Sequence, residues 1–450
     1  MGSKNDGREN TLNPGDKGRF LSFFDVLCLG INAIIGSGIF LFPGKLAHVA
    51  GPSSIFAFGI CGLLLATVGL CYAELGSSFR RNGADYVYAR EAFGNKAGFL
   101  IGWIAWATAC FSWAAVANAI SAYMAQFHPA FKTVWLVKIT ACALIGFFGT
   151  INFYGIKLGA YTVNAFTISK TLPLAIFVFV GLFNLEPSNF AGSLDFSFPV
   201  MGSAVFLCLW PLQGFERIPV VAGETQNPSK YIPMATVGSL FVVVLIYTFV
   251  QIVAVGTFPA LGTIDSRKPL ADAASLFLGG WGGLLMAVGA VISMTGYSAG
   301  NAMSSPRYLS VLAEDGYLPT FIAKIHEKHL TPSNAILLTT FISAIMALFL
   351  NFDTLIDISN LAVVSQYFST CLAVIWLRYS RPDLPRAFKA PGGLIIPIIG
   401  CIISVWLIKQ VKLQEFLFTV GIVFLGAFLS WLYNHLSVSS SQKSQVSNGS

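Results

Sequence analysis

Long apolar runs separated by short polar segments make up most of the chain between residues 20 and 436. A helix of about 20 apolar residues is long enough to cross a bilayer. Runs of this kind predict about twelve helices, at residues 22–43, 51–75, 97–127, 133–152, 162–184, 198–218, 234–257, 273–304, 332–350, 355–377, 393–410 and 415–434. The pattern therefore predicts an all-α polytopic membrane protein.

Composition agrees with a lipid environment for most of the surface. Hydrophobic residues make up 55% of the chain and charged residues 10%, with a mean hydropathy of +0.71. Soluble domains average about 25% charged residues. The chain therefore has too few charges to cover a protein of this size with a water-facing surface.

The net charge of +7 does not indicate binding to nucleic acid. The Lys and Arg residues fall in short segments between apolar runs, and most of them share one side of the membrane with both termini. Cytoplasmic segments are enriched in basic residues. We therefore expect both termini, and with them Arg217 and Arg307, on the cytoplasmic side.

Two apolar runs are interrupted near their middle. Gly36, Ser37 and Gly38 interrupt the first, and a Trp-Pro-Leu-Gln-Gly-Phe-Glu stretch that begins at Trp210 and ends at Glu216 interrupts the sixth. Glycine permits unwinding and proline removes a backbone donor. Unwound backbone at membrane depth lines a cavity or is buried in protein, and a pair of breaks in matching positions indicates the binding site of an inverted-repeat transporter. The alternative is two unrelated kinks.

The chemistry of the breaks suggests the ligand. Free amides at a half-helix N-terminus, as at Gly36 to Gly38, suit a carboxylate. Free carbonyls at the second break suit an ammonium group. A small zwitterion satisfies both, so an α-amino acid is the expected substrate.

The sequence resembles the amino acid–polyamine–organocation (APC) family of permeases over almost its whole length. Its motifs lie at residues 36–40, 72–75, 83–92, 214–216, 221–228 and 313–319. Residues 386–389 depart mildly from the family's Arg-Pro-Phe-Lys, because Ala387 replaces the proline.

The resemblance implies the leucine-transporter fold. The expected parts are a cytoplasmic tail at 1–19, a first repeat of five helices at 20–190, an inverted second repeat of five helices at 191–379, two further helices at 380–436 and a disordered tail at 437–450. The two segments at 83–94 and 308–325 are expected to be amphipathic surface helices that act as gates, or simple connectors.

The resemblance also implies a set of site residues. The substrate carboxylate would meet the Ser37 and Gly38 amides, and its amino group the carbonyls near Ile34 and Trp210. The complete expected set of substrate-binding residues is Ile34, Gly36, Ser37, Gly38, Ile39, Trp113, Trp210, Gly214 and Asn301.

Three residues are candidates for coupling or gating. Lys170 lies within the fifth span, where a charge is costly and usually functional; it matches a lysine of proton-coupled family members, or snorkels to the interface. Glu216 gates or couples protons, or holds the unwound backbone. Trp210 is expected to stack over substrate, or to pack in the core, and Glu74 to anchor at the membrane interface.

The predicted function is secondary transport of small neutral amino acids, by proton-coupled symport or by exchange. The neutral class is favoured because the third span has no acidic residue between Phe99 and Gln126. A cationic amino acid or polyamine exchanger and a non-transporting amino acid receptor remain alternatives. The five His residues show no metal-site spacing, so we expect no enzyme, metal or cofactor. The loop at 127–134 has no Cys, so no disulfide-linked heavy chain is expected, and a bacterial inner membrane is favoured.

Overall fold

The computed structural model describes residues 20–125, 127–192, 194–263, 268–410 and 413–447. Within them the chain forms fifteen α-helices. These are α1 (Phe23–Ile34), α2 (Gly38–Ala50), α3 (Ala57–Ser78), α4 (Asp85–Phe93), α5 (Asn95–Met124), α6 (Val134–Phe153), α7 (Ile156–Gly181), α8 (Phe198–Leu212), α9 (Pro228–Thr257), α10 (Pro269–Leu278), α11 (Gly280–Glu314), α12 (Ser333–Phe349), α13 (Phe352–Ser380), α14 (Ile395–Ile408) and α15 (Leu413–Ser447). The expected tail at 1–19 lies outside the described residues.

Nine stretches of the described chain are long and apolar enough to cross a membrane. One of them, Gly38–Ser78, contains both α2 and α3. Taking α1 and α2 as one interrupted span, and adding the shorter apolar helices α12 and α14, accounts for the twelve spans that the sequence predicts. The all-α polytopic fold is confirmed.

Some helix ends differ from those predicted. The run predicted at 273–304 is divided at Gly279, which has a φ of 65°, into α10 and a longer α11 that continues to Glu314. Helix α15 continues through residues 437–447, which belong to the segment where the sequence predicts a disordered tail. Residues 437–447 contain neither Gly nor Pro, so no residue that strongly disfavours helix occurs there.

Helices α5 and α11 form the centre of the bundle. Helix α11 packs against α5, α6, α7, α10 and α12. Small residues of α11 allow neighbouring helices to approach closely. At Gly300, for example, an added Cβ would lie 2.5 Å from the side-chain amide nitrogen of Asn32 in α1. The large exposed hydrophobic side chains of α6, α7, α9 and α15, such as Phe147 and Phe241, face outward as expected for contact with lipid.

One end of the bundle is closed by short connecting segments. The Gly83 amide donates to the Val220 carbonyl over 3.2 Å, and the Asn82 amide donates to Glu224 over 3.1 Å. Arg81, just before α4, pairs with Asp315 at 2.9 Å, just after α11. We call this end, formed by residues 80–93, 220–224 and 314–317, the α4 face.

Three charged residues, two placed on the cytoplasmic side and one at the membrane interface by the sequence, are buried. Arg217 and Arg307 are 5% and 1% exposed, and Glu74 is fully buried. Glu74 pairs with Arg378 and with Arg386, so its expected role as an interfacial anchor is wrong. A carboxylate can be buried here because two guanidinium groups from the end of α13 and the segment after it compensate its charge.

Candidate functional site

The first predicted helix break is present. Helix α1 ends at Ile34 and α2 begins at Gly38, so residues 35–37 link two half-helices. Ser37 precedes the first turn of α2 but makes no capping hydrogen bond, and its buried hydroxyl has no partner among the described residues. Unpaired polar groups at a half-helix N-terminus favour an anionic ligand there.

The carbonyls on the other side of this break already have donors. The Lys170 ammonium donates to the carbonyls of Asn32, at 2.9 Å, and Ile35. The Ser293 hydroxyl donates to the Gly36 carbonyl at 2.9 Å, and the Tyr247 hydroxyl to the Ile34 carbonyl at 3.2 Å. Side chains from α7, α9 and α11 therefore hold the unwound backbone of the first break.

The second break follows Leu212, the last residue of α8. Gly214 has a φ of 129°, which L side chains rarely adopt, and a 3₁₀ segment then runs over Phe215–Glu224. The Glu216 carboxylate accepts the Gly214 amide at 2.8 Å and the Tyr367 hydroxyl at 3.0 Å. Glu216 thus holds the unwound backbone in place.

The two breaks pack directly on each other. A Cβ added at Gly214 would lie 2.4 Å from the backbone of Ala33, and one added at Gly38 would lie 2.6 Å from the Pro211 α-carbon. Only residues without a side chain permit this approach. Gly214 of the second break therefore leaves room for the backbone of α1, and Gly38 of the first break leaves room for the backbone of α8.

A narrow cavity of about 10 Å³ lies where the breaks meet. Ten residues line it: Ala33, Ile34, Gly36, Ser37, Gly38, Val116, Trp210, Pro211, Gln213 and Tyr297. Three of these have polar uncharged side chains, Ser37, Gln213 and Tyr297, the Trp210 indole adds one N–H group, and none has a charged side chain. Sites for drug-sized ligands usually measure about 300–1,000 Å³, so the helices around this cavity must separate before a substrate enters, and its lining suits a ligand with an uncharged side chain.

Five of the nine residues expected to bind substrate line this cavity: Ile34, Gly36, Ser37, Gly38 and Trp210. The other four lie nearby but do not line it. Ile39 is buried within α2, and Gly214 packs on Ala33. Trp113 is fully buried in α5, where Val116, one turn further on, reaches the cavity instead.

Asn301 does not line the cavity but bonds to neighbouring side chains. Its side-chain amide oxygen accepts hydrogen bonds from Arg217 and, at 2.9 Å, from Ser305. Arg217 also lies 3.8 Å from Glu216, and its guanidinium stacks over the Tyr297 ring at 5.6 Å. The buried charge of Arg217 is thereby placed beside an aromatic residue that lines the cavity.

The expected set of site residues missed five that line the cavity, together with Arg217 beside it; the five are Ala33, Val116, Pro211, Gln213 and Tyr297. Gln213 and Arg217 could have been identified, because both belong to or adjoin the interrupted stretch that begins at Trp210. Gln213 donates to Asn360 at 2.7 Å, which links the second break to α13. Val116 and Tyr297 carry no local signal, since each is one of many apolar or aromatic residues in its span.

The described residues hold no cluster of three or more His, Cys, Asp or Glu side chains that could bind a metal ion. All eight cysteines are free, and each is buried or half-buried. The site is thus a candidate cavity between two interrupted helices. Lys170 holds the first break, Glu216 holds the second, and Arg217 lies beside the cavity.

Comparison with known proteins decides the family. Residues 21–441 match the amino acid permease family. The chain belongs to the amino acid permease family. Its relatives include the branched-chain amino acid permease BcaP of Bacillus subtilis, which is 29% identical over 92% of this chain and 90% of the relative.

Two other relatives are described as exchanger and transporter. The serine/threonine exchanger SteT of Bacillus subtilis is 30% identical over 83% of this chain and 86% of the relative. The b(0,+)-type amino acid transporter 1 of Mus musculus is 28% identical over 90% of this chain and 86% of the relative. This permease is therefore an integral membrane transporter and not an enzyme, and the resemblance seen in its motifs is confirmed.

Proposed function

We propose that this permease is a secondary transporter of small neutral α-amino acids that works by alternating access. The observation that carries the proposal is the small uncharged cavity between the two helix breaks. Its relatives include proteins named for branched-chain amino acids and for serine and threonine.

The substrate carboxylate would bind at the start of α2. The unpartnered Ser37 hydroxyl and the N-terminal amides of α2 offer donors to an anion. The amino group would meet backbone carbonyls near Ile34 and Trp210, and the apolar side chains of Val116 and Trp210 would surround the substrate side chain. Ile39, Trp113, Gly214 and Asn301 would support these groups.

Charge disfavours the cationic alternative. The cavity lining contains no carboxylate, and the Arg217 guanidinium stacks on Tyr297 at the cavity wall. Glu216, 3.8 Å from Arg217, already pairs with that charge, so the lining offers no carboxylate to compensate a second positive charge in these low-dielectric surroundings. A cationic amino acid or a polyamine therefore fits this cavity less well than a neutral amino acid.

Lys170 is the proposed coupling residue. Its ammonium is fully buried and donates to the Asn32 and Ile35 carbonyls, which lie on the two sides of the end of α1. Loss of its proton would leave a neutral amine whose remaining N–H groups donate more weakly than the ammonium, and this would loosen the first break. We propose the proton as the coupling ion and Glu216 and Trp210 as gating residues.

We also propose that both termini lie in the cytoplasm and that the protein resides in a bacterial inner membrane. No disulfide-linked heavy chain is proposed as a partner.

Transport in liposomes tests the proposal. The purified protein is reconstituted, and uptake of radiolabelled leucine, serine and arginine is measured with an inward proton gradient or with preloaded amino acid. We expect saturable uptake of leucine or serine and little of arginine. Arginine uptake in preference to both would favour the cationic exchanger, and binding without any uptake would favour the receptor.

A matched pair of variants tests the carboxylate site. Ser37→Ala removes the unpartnered hydroxyl at the cavity and should raise the KM for the transported amino acid by about tenfold, equivalent to about 1.4 kcal/mol. Ser404→Ala removes a buried hydroxyl that bonds only within α14, so its KM should match the wild type. Equal KM values for all three proteins would contradict the proposed position of the carboxylate.

A further inference from the structure

Asp85 is a fully enclosed carboxylate at the α4 face with no role in the cavity. It is the first residue of α4, and it is 1% exposed. It forms no ion pair with any described Lys or Arg. A charge removed from water without a counter-charge is strongly disfavoured, so a carboxyl in this position takes up a proton readily.

The partners of Asp85 come from three different helices, and all are hydroxyl groups. The Tyr72 hydroxyl of α3 donates to one carboxylate oxygen, and the Thr370 hydroxyl of α13 lies 3.3 Å from the same oxygen. The Tyr308 hydroxyl of α11 donates to the other oxygen at 3.2 Å. Asp85 therefore connects α4 to three helices of the bundle at once.

A second buried carboxylate belongs to the same network. Glu216 accepts a hydrogen bond from Tyr367, whose ring packs edge-on against Tyr72 with centroids 6.1 Å apart. Glu216 has the nearby guanidinium of Arg217 and the Gly214 amide to stabilise its charge. Asp85 has only neutral donors, so its ionised form lacks a compensating charge.

We infer that Asp85 is a proton-binding carboxyl of the transport cycle, protonated while the α4 face is closed and ionised when that face opens to water. The inference rests on the proposed transporter function in taking the α4 face to be one of the two faces that open. Opening then releases a proton on that side, and closing takes one up. Lys170 is not required for this step.

The titratable groups around Asp85 set the direction of the pH effect. They are Tyr72, Tyr88, Glu216 and Tyr308, with Thr370 as a further donor. Burial raises the pKa of Asp85 to about 7, and the Glu216 charge adds to this rise, whereas the Tyr72 and Tyr308 hydroxyls lower it.

An aspartate exposed to water has a pKa of about 3.9. The closed state thus has the higher pKa, so its stabilisation by the proton is complete below about pH 4 and is lost as the pH rises to about 7. The ratio of open to closed protein should therefore rise by about tenfold between pH 6 and pH 8, and the rise should level off above about pH 7.

Two measurements on the full-length protein in detergent test this inference. The first is an infrared spectrum, in which the band of a protonated carboxyl should be present at pH 6, decrease towards pH 8 and be absent in Asp85→Asn. The second is hydrogen–deuterium exchange of the amides of α4, corrected for intrinsic exchange. The opening constant should rise by about tenfold from pH 6 to pH 8 in the wild type and stay constant in Asp85→Asn.

Asp315→Asn is the matched control at the same face. Burial opposes ionisation of Asp315, but hydrogen bonds from Arg81 and Tyr86 outweigh burial and lower its pKa, so Asp315 does not titrate between pH 6 and pH 8. The control should keep both the infrared band and the pH dependence. A wild-type opening constant that does not change with pH, or an Asp85→Asn variant that keeps the wild-type change, would overturn the inference.

A second variant covers the case in which Asp85→Asn does not fold. Tyr308→Phe removes one donor to the carboxylate and so should move the midpoint of the infrared titration to higher pH. An unchanged midpoint would count against Asp85 as the titrating group. Neither measurement needs a substrate, so the outcome for Asp85 is separate from the outcome for amino acid transport.

Discussion

The side-chain ammonium of Lys170 donates a hydrogen bond to the Asn32 carbonyl over 2.9 Å, and both residues are fully buried. Asn32 lies in the last turn of α1, and its own amide group donates to the Gly296 carbonyl of α11 at 2.7 Å. Lys170 of α7 thus holds the end of α1 at the first break, together with the donors from α9 and α11.

Removal of Lys170 should uncouple transport from the proton gradient. Lys170→Ala removes this donor from the Asn32 carbonyl and leaves the Ile35 carbonyl with only the Ser293 hydroxyl, at 3.2 Å; a buried group left unsatisfied costs about 1–3 kcal/mol. We expect gradient-driven uptake in liposomes to fall by at least about tenfold, while exchange against preloaded amino acid persists.

Lys138→Ala is the matched control for this change. Lys138 also donates to two carbonyls, those of Ala347 and Leu350 at the end of α12, but it lies away from the cavity. The Lys138→Ala variant should retain gradient-driven uptake. If Lys170→Ala accumulates amino acid as well as Lys138→Ala does, Lys170 has a structural role only.

The contact between the two breaks should not tolerate a methyl group. Gly214→Ala would place its Cβ 2.4 Å from the Ala33 backbone, at a φ of 129°. Strained backbone of this kind costs about 1–3 kcal/mol before the collision is counted. We expect a lower melting temperature in detergent and loss of transport.

Gly146→Ala is the comparison variant, since no atom lies within 4 Å of its added Cβ. Alanine is favoured over glycine within a helix by about 1 kcal/mol, so this variant should be as stable as the wild type or more so. Equal melting temperatures for Gly214→Ala and Gly146→Ala would mean that the breaks do not pack as described.

The buried carboxylate of Glu74 should matter more for stability than an exposed one. Glu74→Gln leaves Arg378 and Arg386 without their shared anion, and breaking a buried ion pair typically costs about 3–5 kcal/mol. The melting temperature in detergent measures this loss.

The ion pair between Glu91 and Arg381 provides the control, because its side chains are 33% and 48% exposed. Exposed ion pairs contribute about 0–1 kcal/mol, so Glu91→Gln should change the melting temperature little. A larger destabilisation from Glu91→Gln than from Glu74→Gln would contradict the assigned burial.

The size of the cavity should set substrate preference through Val116. Val116→Ala enlarges the cavity and should shift the ratio of kcat/KM values towards larger neutral amino acids, by about 10–200-fold at most for a change of one or two methylenes. Competition assays with alanine, leucine and phenylalanine against a labelled substrate would measure the shift. Trp113→Phe is the control, because Trp113 does not line the cavity, and it should leave the order of substrate preference unaltered. If Trp113→Phe changes that order and Val116→Ala does not, the substrate binds elsewhere.

Part of this permease could be predicted from the sequence because the signals involved are local. The length of an apolar run determines whether a helix can span the bilayer, and all twelve predicted spans are accounted for. The glycines at 36 and 38 and Pro211 marked both helix breaks, because backbone freedom and a missing donor act at the residue itself. The motifs around these breaks also identified the family.

The tertiary structure decided which charges are buried and which side chains face the cavity. Arg217 was placed on the cytoplasmic side and Glu74 at the membrane interface, yet both are buried: Arg217 beside its neighbour Glu216, and Glu74 beside Arg378 from the end of α13. Val116 rather than Trp113 reaches the cavity, and Asp85 meets hydroxyls from three helices. Such outcomes depend on how each helix is rotated and on which helices meet in the bundle, and no local pattern encodes them.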